Sequence, residues 1–159
     1  MIFVTVGTQL PFDRLIELID AMAPSLDEEV FAQTGRGRYQ PVNVQSSALL
    51  KPRQFDELVT GASRIVSHAG IGTVLMAQKY RKPVILFPRR ASLGEHRNDH
   101  QLATVAALRG REGIYVAESD EELGELLRAD LVAPEAGAPH PGRDRLRERI
   151  ADFISGGPA

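Results

Sequence analysis

The stretch RIVSHAGIGTVLMAQKY (64–80) passes through three kinds of sequence in one short span. RIVS (64–67) is apolar and β-branched, SHAGIGT (67–73) carries two glycines, and the residues after it recur at helical spacing. Strand, loop and helix in that order are the unit of an α/β fold.

Working outward, the same alternation recurs along the chain. IFVTV (2–6) reads as a buried strand ending at Gly7. In 11–22, Phe12, Leu15, Ile16, Ile19 and Met22 mark a helix, with Pro11 suited to its first turn. VFAQTGRG (30–37) is a strand running into a glycine loop, and PVNVQSS (41–47) a third strand. The spacing predicts a helix over 52–60, with Phe55, Leu58 and Val59 on one face, and another over 73–80. PVILFP (83–88) is a strand, 98–108 a helix and GIYVA (113–117) a strand. In 119–128, Ser119 and Glu122 form a capping-box pattern at a helix start. A Pro/Gly/Ala loop (133–142), an amphipathic helix (143–154) and a frayed SGGPA tail complete the reading. Strands alternating with helices imply a Rossmann-like, doubly wound parallel sheet in one domain, 1–159.

Composition bounds the function. At 159 residues, 43% hydrophobic and 25% charged, the chain is an ordinary globular domain. It has no cysteine, which excludes disulfides and thiolate metal sites. A net charge of −2 gives no electrostatic case for a nucleic-acid partner. No apolar run approaches the ~20 residues of a membrane span, so if the protein works at a membrane something else must hold it there.

In a doubly wound sheet the strand-to-helix loops share one rim, where ligands bind. Four of these loops are unusual: 6–13, 33–37, 67–73 and 88–101. In 67–73, Gly70 and Gly72 permit positive φ or a close backbone approach, and a helix beginning near Thr73 would aim free N–H groups at the loop. His68 and Thr73 add side-chain donors. The loop taken alone reads equally as a compact turn or an anion cradle. Lacking a lysine after the second glycine it is not a Walker loop, and lacking a third glycine it is not a dinucleotide fingerprint. Gly7 and Thr8 leave backbone donors at the end of the first strand. In EHRNDHQ (95–101), Asn98 or Asp99 can cap a helix, or Asp99, His100 and Gln101 can reach a polyhydroxylated ligand. His96 and His100 stand four apart but lack a third ligand, so no metal is expected. Asp99 and His100 also suit an acid–base pair in a small enzyme. Arg89 and Arg90 read as a modest basic rim.

FVTVGTQLPFDRLI (3–16), SHAGIGT, KPVILFPR (82–89) and NDHQ (98–101) together resemble the C-terminal, donor-binding domain of glycosyltransferase family 28 over residues 1 to about 130. The stand-alone members are most similar: the catalytic subunit of the split UDP-GlcNAc transferase of lipid-linked oligosaccharide synthesis, and bacterial PssE-like exopolysaccharide subunits. The resemblance implies the C-terminal half of a GT-B enzyme, binding a UDP-sugar and needing no cofactor. Gly70, Gly72 and Thr73, with His68 beside them, would hold the diphosphate. Gly7 and Thr8 would face the cleft. Asn98, Asp99, His100 and Gln101 would contact the sugar. Gly35 belongs to the second rim loop, and uracil would sit near Leu49 and Leu50. His68 and Asp99 are the candidate catalytic residues. The family's ribose-binding glutamate position is Met76 here, a departure. The implied partners are a membrane-anchored, PssD-like acceptor-binding subunit and a lipid-linked glycan acceptor. The implied location is cytoplasmic, peripheral at the inner membrane face. A non-catalytic nucleotide-binding module is the alternative reading.

Overall fold

A computed structural model of the chain describes residues 1–135. The expected helix at 143–154, the tail and most of the 133–142 loop lie outside the described residues. Six strands appear within them: β1 (Ile2–Thr5), β2 (Val30–Gln33), β3 (Gln45–Ser47), β4 (Arg64–Ser67), β5 (Val84–Leu86) and β6 (Ile114–Val116). Five helices of about ten residues interleave with them: α1 (Asp13–Met22), α2 (Pro52–Gly61), α3 (Ile71–Tyr80), α4 (His100–Leu108) and α5 (Asp120–Arg128). Every strand pair is parallel, and the order is β3-β2-β1-β4-β5-β6. This is the Rossmann order, with its topological switch between β1 and β4.

The period of two along each strand divides the core. Ile2 and Val4 of β1, Val66 and Ile85 face α1 and α5, packing with Leu15, Ile16, Ile19, Leu123 and Leu127. Phe3, Ile65, Val84 and Leu86 face the other way, onto Val59, Val74, Ala77, Val105 and Leu108 of α2, α3 and α4. Phe3 meets Phe55 edge-on, ring centroids 5.4 Å apart. The central strands are buried on both faces, while the short edge strand β3 is polar and largely exposed.

Several boundaries shift from expectation. α1 starts at Asp13, so Pro11 and Phe12 precede the helix, and Phe12 instead packs into the core beside Phe87. Only 45–47 of the expected third strand pair with β2. Ser119 caps α5 by accepting from the Glu122 N–H, but the Glu122 carboxylate accepts from Glu118 N–H, one residue before the cap. Most consequential, α3 begins at Ile71 with Gly70 as its cap, two residues before the expected start.

Candidate functional site at the β1–β4 switch

Three polar residues stand in one row across the centre of the sheet. Register pairs Thr5 with Gln33 on one side and with Ser67 on the other, at the carboxyl ends of β2, β1 and β4. All three are buried, so each needs a hydrogen-bond partner. The Thr5 hydroxyl donates to Gln33 Oε1 at 2.5 Å, and the Ser67 hydroxyl donates to the Thr5 carbonyl at 2.6 Å. Ser67 Oγ also lies 3.2 Å from His68 Nδ1 and 3.2 Å from Thr73 Oγ1. The Thr73 hydroxyl, expected to face a ligand, is buried and turned into this network.

Above the row lies the rim. Gly7, at φ +76, and Gly70 flank the half-buried imidazole of His68. A Cβ at Gly7 would come within 3.2 Å of His68 Cε1, and one at Gly70 within 2.5 Å of Nε2. Gly70 has φ −85, so its requirement is space for the ring and not an unusual backbone. Gly35, at φ +61, is packed so closely on the first loop that a Cβ would stand 2.5 Å from the Gly7 carbonyl oxygen. Gly72 differs from the expectation: it sits in the first turn of α3 with nothing within 4 Å of a Cβ. The open N–H groups of that turn face the same rim, where an anion is favoured. Burial pushes the His68 imidazole down to about 4, with the charges of Arg89 and His96 adding to the effect and the Thr5 carbonyl opposing it. His68 is neutral at pH 7.

The fourth loop is held more tightly than its polar sequence suggests. Arg89 is not part of an open basic rim. It is buried, and its guanidinium donates to the carbonyls of Val6 (2.8 Å), Leu10 (3.0 Å) and Pro11. It also lies over the Phe12 ring, 4.6 Å from the centroid. Burial lowers Arg89 to about 10, with Glu95 opposing, so it stays charged at neutral pH. Glu95 itself accepts a fork of two bonds from Arg14, at 2.6 and 2.9 Å. Arg89 therefore clasps the β1–α1 loop to the end of β5.

Gln101, on the first turn of α4, is buried and turns Oε1 inward to accept from the N–H groups of Ala69 (3.2 Å) and Arg89 (3.0 Å). Its Nε2 makes no hydrogen bond among the described residues. Asp99 caps α4 by position alone: its Oδ1 accepts from Ala91 N–H at 3.0 Å, and Asn98 Oδ1 accepts from His100 N–H at 3.2 Å. His96 precedes the helix, so it shares no helical face with His100. Among the described residues no group of three His, Asp or Glu side chains is placed to hold a metal. Leu50 is half-buried in a shallow groove with Met1, Phe31 and Leu58, against the α2 face, whereas Leu49 is 67% exposed. Thr8 is exposed on the first loop, and Met76 is half-buried on α3.

The structure thus gathers Gly7, His68 and Gly70 at the switch and places Gln101 beneath the same rim through its bond to Ala69. Thr5, Gln33 and Ser67 are not singled out by the sequence, and their only signal is position at the last residue of a strand; Arg89 reads there only as part of a basic rim.

A parallel sheet in this order, with helices on both faces and a glycine-lined switch point, defines a Rossmann-like class of protein. Within that class the chain belongs to the family described as the glycosyltransferase family 28 C-terminal domain, whose model matches residues 1–139. It is 26% identical over 148 residues to the UDP-N-acetylglucosamine transferase subunit ALG13 of Eremothecium gossypii, covering 91% of this chain and 72% of that protein. Its fold is similar to the solution structure of ALG13, with a TM-score of 0.60 and 18% identity, over 91% of this chain and 93% of that one. It is also similar to the crystal structure of the glycotransferase of kitacinnamycin, with a TM-score of 0.57 and 18% identity, over 97% of this chain. There it spans only 42% of the longer protein. The fold is that of the C-terminal half of GT-B glycosyltransferases.

Proposed function

We propose that this chain is the donor-binding subunit of a two-component glycosyltransferase. It moves a hexose-type sugar (N-acetylglucosamine, glucose or glucuronate) from a UDP-sugar to a polyprenyl-diphosphate-linked acceptor in polysaccharide synthesis. The observation that carries the reading is the rim at the β1–β4 switch, where Gly7, His68 and Gly70 meet the open amino end of α3. Membership of the family and the likeness to ALG13 support it.

On this reading the diphosphate lies against the first turn of α3, where the backbone N–H groups of Ile71 and Gly72 are unpaired within the helix. Negative charge grows on the leaving UDP as the glycosidic bond breaks. The fixed N–H groups and the helix dipole stabilise that charge without reorganising. The buried charge of Arg89 adds to the favourable field. Gln101 holds two loops together with its oxygen and offers its Nε2 to a sugar hydroxyl. Asp99 is an exposed carboxylate on the same loop, and Leu49 is the apolar surface for uracil. The acceptor site and the catalytic base come from the second, membrane-attached subunit, which is PssD-like and holds this chain at the cytoplasmic face. No cofactor or metal enters the step.

The test is co-expression with a membrane-anchored acceptor-binding subunit and measurement of labelled-sugar transfer to lipid from UDP-GlcNAc, UDP-glucose and UDP-glucuronate. Transfer that needs both chains is the expected result. Binding of UDP without transfer from any of the three donors would favour the non-catalytic nucleotide-binding module.

A further inference from the structure

We propose that Ser67 is a positioning residue that fixes the hydrogen of His68 on Nδ1, so that this loop takes up a diphosphate only together with a proton. The inference rests on the donor-site reading above.

Ser67 has one hydroxyl hydrogen. The Thr5 carbonyl can only accept, and at 2.6 Å from Ser67 Oγ it claims that hydrogen. Ser67 Oγ is then left with lone pairs facing His68 Nδ1 and Thr73 Oγ1, each 3.2 Å away. An unprotonated Nδ1 would set two lone pairs against each other. The hydrogen of the neutral ring therefore sits on Nδ1, and the Thr5 carbonyl, which favours the protonated ring, supports the same choice. Nε2, held between Gly7 and Gly70, presents a bare lone pair at the rim.

That arrangement suits a hydrogen-bond donor and repels phosphate oxygen. Protonation at Nε2 reverses it and creates a charge-assisted donor. The charged groups acting on His68 are Arg89 and His96, and both disfavour its proton. The adjoining loop residues Thr8 and Gln9 and the α3 start at Ile71–Thr73 carry no charge. The nearby carboxylates are engaged elsewhere, Glu95 on Arg14 and Asp99 on the Ala91 N–H. A bound diphosphate supplies the negative charge this pocket lacks. The proton comes from solvent, and binding and protonation then reinforce each other.

The experiment is calorimetric titration of the full chain with UDP between pH 7 and 9, in buffers of differing ionisation enthalpy. Above pH 7 the ligand's own phosphate, with a pKa of about 6, is nearly fully ionised. The expected result is proton uptake on binding, with affinity falling by up to tenfold per pH unit as pH rises. His68→Gln, whose amide donates without a proton, should bind with no such slope. Ser67→Ala releases the ring to place its hydrogen on Nε2 and should flatten the slope several-fold. Imidazole nitrogen NMR of the unaltered chain reads the same point without a variant: Nδ1–H alone when free, both nitrogens protonated with UDP. An Nε2–H ring in the free chain, or a wild-type slope equal to that of His68→Gln, overturns the inference while leaving UDP binding intact. No UDP binding at millimolar concentration would remove the donor-site reading itself, and this inference with it.

Discussion

A Cβ on Gly70 would stand 2.5 Å from His68 Nε2. The backbone at Gly70 is ordinary extended chain, so alanine there costs nothing in φ. The collision with the ring is what matters. Gly70→Ala should displace His68, lower stability by about 1–3 kcal/mol as overpacking does, and abolish measurable UDP binding. Urea denaturation and calorimetry check the two effects.

Gly72 gives the opposite sign on stability. It is helical with open space around it, and alanine at such a site favours the helix by about 0.5–1 kcal/mol. Gly72→Ala should raise the denaturation midpoint while, on the donor-site reading, weakening UDP binding by crowding a ligand at the first turn of α3. Unchanged UDP affinity would take Gly72 out of the donor site.

Gln101 separates structure from recognition. Its oxygen accepts from two backbone N–H groups, and a glutamate keeps that oxygen. Gln101→Glu keeps the accepting oxygen but sets a negative charge beside the rim, so it should bind UDP more weakly and the UDP-sugar more weakly still, because the donor bond to the sugar is lost as well. Gln101→Ala strands both N–H groups and should cost about 2 kcal/mol in folding. Parallel titrations with UDP and UDP-sugar distinguish the outcomes.

Asp20 makes stability depend on pH. Burial pushes its carboxyl up, but bonds from the Asn43 and Val42 N–H groups and the Tyr39 hydroxyl outweigh that, and the net shift is downward. The folded state therefore holds its proton less tightly than the unfolded chain. The stabilisation is complete above the ordinary aspartate value near pH 4 and is lost as pH falls through the lowered one. Asp20→Asn should lose stability at neutral pH and show a shallower acid transition, measured by thermal melts from pH 2.5 to 7.

Arg89→Met removes the donor to three loop carbonyls and leaves them without it under the end of β5. The expected loss is about 3 kcal/mol or more. Arg89→Lys recovers only part, since one ammonium cannot span the fork of contacts. Chemical denaturation of both variants tests the clasp.

The fold was readable because its signals are local. Short continuous apolar runs in IFVT and RIVS, period 3.6 in α1 and the glycines after β1 and β4 each show themselves within a few residues. Glycine spacing also located the rim. What a side chain does there was less visible. Thr73 and Arg89 looked like outward-facing donors, yet Thr73 turns its hydroxyl inward to Ser67 and Arg89 spends its guanidinium on carbonyls far away in sequence. Gly70 and Gly72 look alike in SHAGIGT, and only the packing of His68 distinguishes a glycine that must be small from one that need not be.

The clasp also orders events in time. Arg89 reaches carbonyls 83, 79 and 78 residues earlier in the chain. Contacts that close so long a loop form late, because their chain entropy is lost before they return anything. During synthesis the β1–α1 loop leaves the ribosome well before β5, yet its carbonyls wait for Arg89. Chains ending before residue 89 would have most of the sheet and no finished rim, so on the donor-site reading nucleotide binding should appear only once that residue is in place.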